Sequence, residues 1–329
     1  TGIVQTGGSF VASTLDVKDA AFLAGRSMTF DGASTAAVVN LGRIGSAKGD
    51  VVLIARTVQN DGSITAPEGT AAMASGREVV LTDGALGNGK VQVKLPGGNG
   101  QVVNRGSIRA ADVELRANGG NVLALAGNTD GVIKATGVAN KGGRIFLTAE
   151  GGSVVATQRL EARRQATAPA EPDRRGRKGG AAKTVTAGGD ILIEADAVTI
   201  GGVLDAAGID GAGGRIVVTG RDVTVKSGAL LTASGTTGGL VLVGGDRGGG
   251  RAPGGALFDR PIRNAGRVTV ESGAEIRSEG SSGAGGKVVV WSDGTTSFAG
   301  TVSAKGLGGG GFVETSGRDL VITGGRVDA

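Results

Sequence analysis

Histidine, cysteine and tyrosine are absent from the 329 residues, and the aromatic side chains amount to seven Phe and one Trp. Without imidazole there is no Ser-His-Asp triad and no histidine base working near neutral pH. Without thiols there is no disulfide, no thiolate nucleophile and no cysteine ligand for zinc. Proline is scarce, at six residues. No stretch approaches the roughly 20 apolar residues that a membrane-spanning helix needs. Residues 1–12 have neither a basic segment nor an apolar core, so no signal peptide is expected there. The chain reads as processed, or as a piece of a longer protein.

Glycine, by contrast, fills 66 positions, about a fifth of the chain, against a usual share of about 7%. Collagen is excluded because no Gly-X-Y period runs through the sequence. Disorder is excluded because 39% of residues are hydrophobic and Val, Ile and Leu fall in short, regular runs. What remains is a β protein punctuated by glycine.

Its punctuation is periodic. Gly188-Gly189-Asp190-Ile191-Leu192-Ile193, Gly213-Gly214-Arg215-Ile216-Val217-Val218 and Gly238-Gly239-Leu240-Val241-Leu242-Val243 follow one another at 25-residue intervals. Gly285-Gly286 and Gly310-Gly311 keep the same interval, and Gly119-Gly120 and Gly142-Gly143 are 23 apart. Each unit holds two more short strands. One resembles Asp222-Val223-Thr224-Val225, and the other ends in a small residue, any residue and glycine, as in Leu230-Leu231-Thr232-Ala233-Ser234-Gly235. An Asn-x-Gly-Ser-Ile-x-Ala element at Asn60–Ala66 and Asn104–Ala110 carries the repeat into the first third. Three strands and three turns per unit predict an all-β fold, a right-handed parallel β-helix with coils of 23–25 residues. Alternate side chains of each strand point inward, and stacked coils form an aliphatic column without aromatics. The only helical candidate is short, Leu15 to Leu23.

Two segments break the period, 159–183 and 244–263, and both read as loops extruded from a coil. Four of the six prolines fall in them. With these set aside, the remaining length corresponds to about 12 coils.

Two stretches resemble the filamentous-haemagglutinin family of two-partner-secreted exoproteins. Gly7-Gly8-Ser9-Phe10-Val11-Ala12-Ser13-Thr14-Leu15-Asp16-Val17, with Phe22-Leu23-Ala24-Gly25, is similar to the part of that family's secretion domain that follows its asparagine-rich NPNG-type motif. Gly286-Lys287-Val288-Val289-Val290-Trp291-Ser292-Asp293-Gly294-Thr295-Thr296-Ser297-Phe298-Ala299-Gly300, running on to Gly311–Gly317, is similar to a coil pair common in its large members. The resemblance implies a secreted or cell-surface β-helical passenger of a Gram-negative bacterium, exported by an outer-membrane two-partner-secretion transporter, a β-barrel. It also implies that 1–110 is the remainder of a secretion-type domain and that 111–329 continues the helix. The NPNG-type motif itself is not in the sequence.

Charge is unevenly placed. Residues 159–183 hold eight cations and three carboxylates, whereas the other 304 residues balance at 27 of each. The whole excess of +5 is thus numerically that of one segment. Arg163, Arg164, Arg174, Arg175, Arg177 and Lys178 are the candidate partner-binding residues. Arginine's planar fork suits carboxylate or phosphate, as on an anionic glycan or lipopolysaccharide. The competing reading is a solvated charge run. No aromatic residue interleaves to stack on bases, so nucleic acid is not expected. Phe258 and Arg260 form a second candidate, set against a Phe that caps its own loop.

Trp291 reads as a packing residue rather than a sugar platform, and Asp222 and Asp319 as turn formers rather than acid/base groups. No phosphate-loop motif and no calcium nonapeptide are present, so neither cofactor nor metal is expected. The sequence therefore predicts a non-enzymatic adhesin or structural filament module. The alternatives are a polysaccharide-active β-helix enzyme, which needs paired carboxylates in a groove, and an exoprotein that binds a haem carrier.

Overall fold

A computed structural model describes residues 2–24, 27–82, 91–96, 99–126, 131–137, 142–168, 183–250 and 262–329. Their strands stack into the three faces of a parallel β-helix. The first face carries Phe10–Ser13, Val51–Ala55, 70–75, 112–118, 144–149, 190–195, 215–220, Leu240–Val243, 287–292 and 312–317, each parallel to the next. The second runs from Ala37–Asn40 and Thr57–Asn60 to Arg267–Val270, 295–298 and 319–322. The third begins with Ile3–Thr6 and Arg43–Ser46 and ends with Thr301–Ser303 and Arg326–Asp328.

Among the described residues the chain crosses the first face ten times. That is fewer turns than length alone suggests, although the early coils take only 20 residues, with Asn40 stacked on Asn60 and Val51 on Ala71. The reason is that the segments before Ala37 and before Gln101 leave the helix. Asp16–Val17, Met28–Asp31, Glu78–Leu81 and Val91–Leu95 build a separate four-stranded antiparallel sheet instead. The short helix is Asp19–Ala24.

The 25-residue glycine interval has a steric cause. Gly143, Gly189, Gly214, Gly239, Gly286 and Gly311 stack at one corner. A Cβ on any of the last five would overlap the carbonyl oxygen of the glycine before it. The small-x-Gly turns answer the same corner. The N–H groups of Gly214, Gly239 and Gly311 donate to the carbonyls of Ala206, Ala233 and Ala304, each at 2.8 Å. The two sequence motifs are two sides of one contact.

A second column explains the asparagines. Asn40 Nδ2 donates to Asn60 Oδ1 at 2.7 Å, Asn60 Nδ2 to Asn104 Oδ1 at 2.6 Å, and Asn104 Nδ2 to Gln158 Oε1 at 2.8 Å. This buried amide ladder satisfies side chains that would otherwise be orphaned at the corner between the second and third faces.

Inward-facing Ile, Val, Leu and Ala fill the rod. The outward side of the first face is apolar as well, which the alternation rule does not anticipate. Ala72, Glu114, Phe146, Leu192, Val217, Leu242, Val289 and Glu314 lie in register along it. At one end the antiparallel sheet covers it, packing Leu15, Phe30, Val79 and Val91 on Val52, Ile54, Ala72 and Ala74. Beyond that sheet, Phe146 is flanked by the guanidinium groups of Arg116 and Arg144, 5.4 and 5.6 Å from its ring centre.

Candidate functional site

The basic segment does not leave the rod where its composition suggests. Arg159 to Arg164 remain in the third face, paired in parallel with Val132–Gly137, and Leu160 and Ala162 point into the core. The chain departs only after Arg164, as an antiparallel hairpin with Lys183–Gly188. Arg174, Arg175, Arg177 and Lys178 lie outside the described residues, as do Phe258 and Arg260.

This placement sorts the cations. Arg163 is buried, with Nη2 at 2.8 Å from the Asp205 carboxylate and Nη1 donating to the Asp205 carbonyl at 2.9 Å. Arg159 also engages Asp205 and lies 3.7 Å from Glu161. Arg164 donates to Asp190 at 2.7 Å, and Arg215 grips the same carboxylate with two bonds of 2.7 Å. Lys183 lies 3.6 Å from Asp210. Half of the segment's eight cations are therefore neutralised by carboxylates of the scaffold. Arg163 and Arg164 are anchors of the hairpin root rather than parts of an extruded loop.

Two of these groups titrate abnormally. Burial pushes the Asp205 carboxyl up, but the Arg163 bond, the Ala207 N–H and the charges of Arg163 and Arg159 outweigh it, leaving it below its ordinary value. The Asp190 bond raises Arg215. A carboxyl whose folded-state value is depressed stabilises the fold above its unfolded value of about 3.9. That contribution is lost as pH falls through the lower, folded value. Acidification below about pH 4 should therefore open the hairpin root, seen as hydrogen exchange at Lys183–Gly188. Asp205→Asn should remove that acid step, and identical acid profiles for the two proteins would refute the assignment.

The foot of the second insertion is built on Trp291. Its Nε1 donates to Asp293 Oδ1 at 3.0 Å, and Asn264 Nδ2 reaches the same carboxylate at 2.9 Å and the Gly249 carbonyl at 3.0 Å. A Cβ at Gly245 or Gly249 would strike the indole, so these glycines let the turn close over the ring. Arg247 stacks on Phe312 at 4.8 Å, and Lys287 pairs with Asp246. Trp291 thus serves packing. Asp222 and Asp319 differ from expectation. They form ion pairs with the preceding Arg221 and Arg318, and Asp222 also with Arg267 of the next coil at 3.7 Å.

Between the antiparallel sheet and this foot, the first face keeps a groove of about 500 Å³. Phe146 and Leu192 line it, together with Gln92, Asn118, Glu150, Glu194, Asp196 and Arg263. Asp196 is held by Arg263 at 3.2 Å. Among the described residues no cluster of three or more acidic, His or Cys groups could hold a metal ion. Sequence reasoning missed this groove because its lining, from Gln92 and Asn118 to Phe146, Leu192 and Arg263, is gathered from segments that no local motif connects.

No protein-family model matches the chain, and no curated protein matches it. Among solved structures it is similar to the crystal structure of the HMW1 secretion domain from Haemophilus influenzae, at 26% identity and a TM-score of 0.58. The match covers 99% of this chain and 74% of that one. The likeness is thus to a secretion domain, and it spans nearly the whole of the present rod.

Proposed function

We propose that this chain is a secreted β-helical module of the two-partner-secretion type, exported through an outer-membrane transporter and acting as a non-enzymatic adhesive or structural element at the cell surface. The observation that carries the reading is the 26% identity to a secretion domain sustained over 99% of the chain. The architecture supports it. Each coil pairs only with its neighbours, so coils can be added one after another, without disulfides or cofactors, as a chain emerges from a pore. No helix of the described residues is long and apolar enough to cross a membrane. Binding to anionic surfaces would fall to the other four cations of the basic segment, Arg174, Arg175, Arg177 and Lys178. Carboxylates tied to arginine, as Asp196 is, suit a scaffold better than acid/base chemistry.

Export is the test. Directed to the periplasm of a Gram-negative host by a cleavable signal, the chain should reach the medium only when a two-partner transporter is co-expressed. Equal amounts in the medium with and without the transporter would overturn the reading.

A further inference from the structure

The corner between the second and third faces carries a cavity of about 620 Å³. Its wall is a ladder of outward side chains. Arg43 stacks on Ser63, and Ser63 on Ser107, in register on successive strands. Arg109 follows two residues after Ser107 on the same strand and so faces the same way. Two strand steps and two residues separate the Cα atoms of Arg43 and Arg109, about 12 Å in all. Both guanidinium groups can therefore reach a group lying over the two serines.

None of these four side chains is otherwise engaged. Among the described residues Arg43 and Arg109 make no ion pair, and the Ser63 and Ser107 hydroxyls make no hydrogen bond. The neighbouring cations contrast with them: Arg105 lies 3.4 Å from Asp61, and Lys134 lies 2.8 Å from Glu161. Asp61 also lines the cavity, but its carboxylate is occupied by Arg105 and Gln59. Gly42 and Gly62 complete the floor, each packed so closely on the coil before it that a Cβ would overlap a backbone carbonyl there.

From this juxtaposition we infer that the Arg43–Ser63–Ser107–Arg109 ladder is a binding site for an oxyanion, a sulfate or phosphate ester carried on a linear polymer. Two arginines supply charge-assisted donors and two hydroxyls supply neutral ones, in a row that follows the rod axis. The site is separate from the basic hairpin, and its argument does not depend on the route of export.

Affinity for dextran sulfate, measured with uncharged dextran alongside and with inorganic phosphate as competitor, tests it. The full chain should bind dextran sulfate and not dextran, with affinity falling as salt rises. Arg43→Gln with Arg109→Gln should weaken binding at least tenfold, and Ser63→Ala with Ser107→Ala should weaken it less. Both arginines are exposed, so the thermal midpoint should not move. A chain lacking 169–182 should keep this binding. Competition by free phosphate would mark the headgroup as sufficient, and its failure would mark the polymer as required. Unchanged affinity in the double arginine variant, or no binding by the parent chain, would overturn the assignment.

Discussion

Gly239→Ala is expected to destabilise the rod by about 4 kcal/mol or more, beyond the range of ordinary substitutions. The added Cβ would overlap the carbonyl oxygen of Gly214, in the coil beneath. That oxygen cannot withdraw, because it accepts the Leu240 N–H at 2.9 Å. Nor can Gly239 lift away, since its own N–H is bound to Ala233 at 2.8 Å. Relief requires parting two coils, and a solenoid has only nearest-neighbour contacts with which to resist that. Gly7→Ala is the control. A Cβ at Gly7 meets nothing within 4 Å, and its effect should stay within about 0.5 kcal/mol. Chemical denaturation of both variants decides the matter. If Gly239→Ala unfolds at the parent's denaturant midpoint, the stacked corner is not what makes glycine obligatory.

That column also shows how far local pattern reaches. The Gly-Gly interval and the Asn-x-Gly-Ser-Ile-x-Ala element were legible because each coil repeats the same steric demand at the same place. Fold class follows from such repetition directly. Coil number did not, because a strand of the antiparallel sheet such as Glu78–Leu81 has the same apolar composition as a coil strand. Only its antiparallel partners, Met28–Asp31 and Val91–Leu95, mark it as different. The basic segment misled in another way. Arg159, Arg163 and Arg164 look continuous with Arg174–Lys178 in sequence, yet their partners Asp190 and Asp205 lie 26 to 46 residues away in sequence. Charge tallied along the chain counts cations that the fold has already neutralised. The Arg43–Arg109 ladder was invisible for the converse reason, since register brings together residues that no motif connects.

Asn104→Ala should produce the second large loss, about 4 kcal/mol, through groups left without partners. Asn104 is fully buried. Its removal strands the Asn60 amide hydrogen and the Gln158 oxygen, which it joins at 2.6 and 2.8 Å. Each buried orphan costs roughly 1–3 kcal/mol, to which a small cavity adds. No neighbour can substitute, because the next residue in register is Ala124, and Gln158 already spans that gap with its longer side chain. Asn104→Asp separates hydrogen bonding from packing. The aspartate keeps the Asn60 bond but turns an oxygen toward Gln158 Oε1 and the Gly106 carbonyl, where Asn104 had donated. Burial and these oxygens favour the protonated acid, so the folded-state pKa lies above the unfolded value of about 3.9. The folded state then binds more protons than the unfolded one, and stability falls as pH rises from about 4 through the raised value. Asn104→Asp should therefore approach the parent only in acid, whereas Asn104→Ala should remain impaired at every pH. Denaturation midpoints of the two variants between about pH 3 and 8 distinguish them, and a pH-independent Asn104→Asp would show that the amide ladder is dispensable.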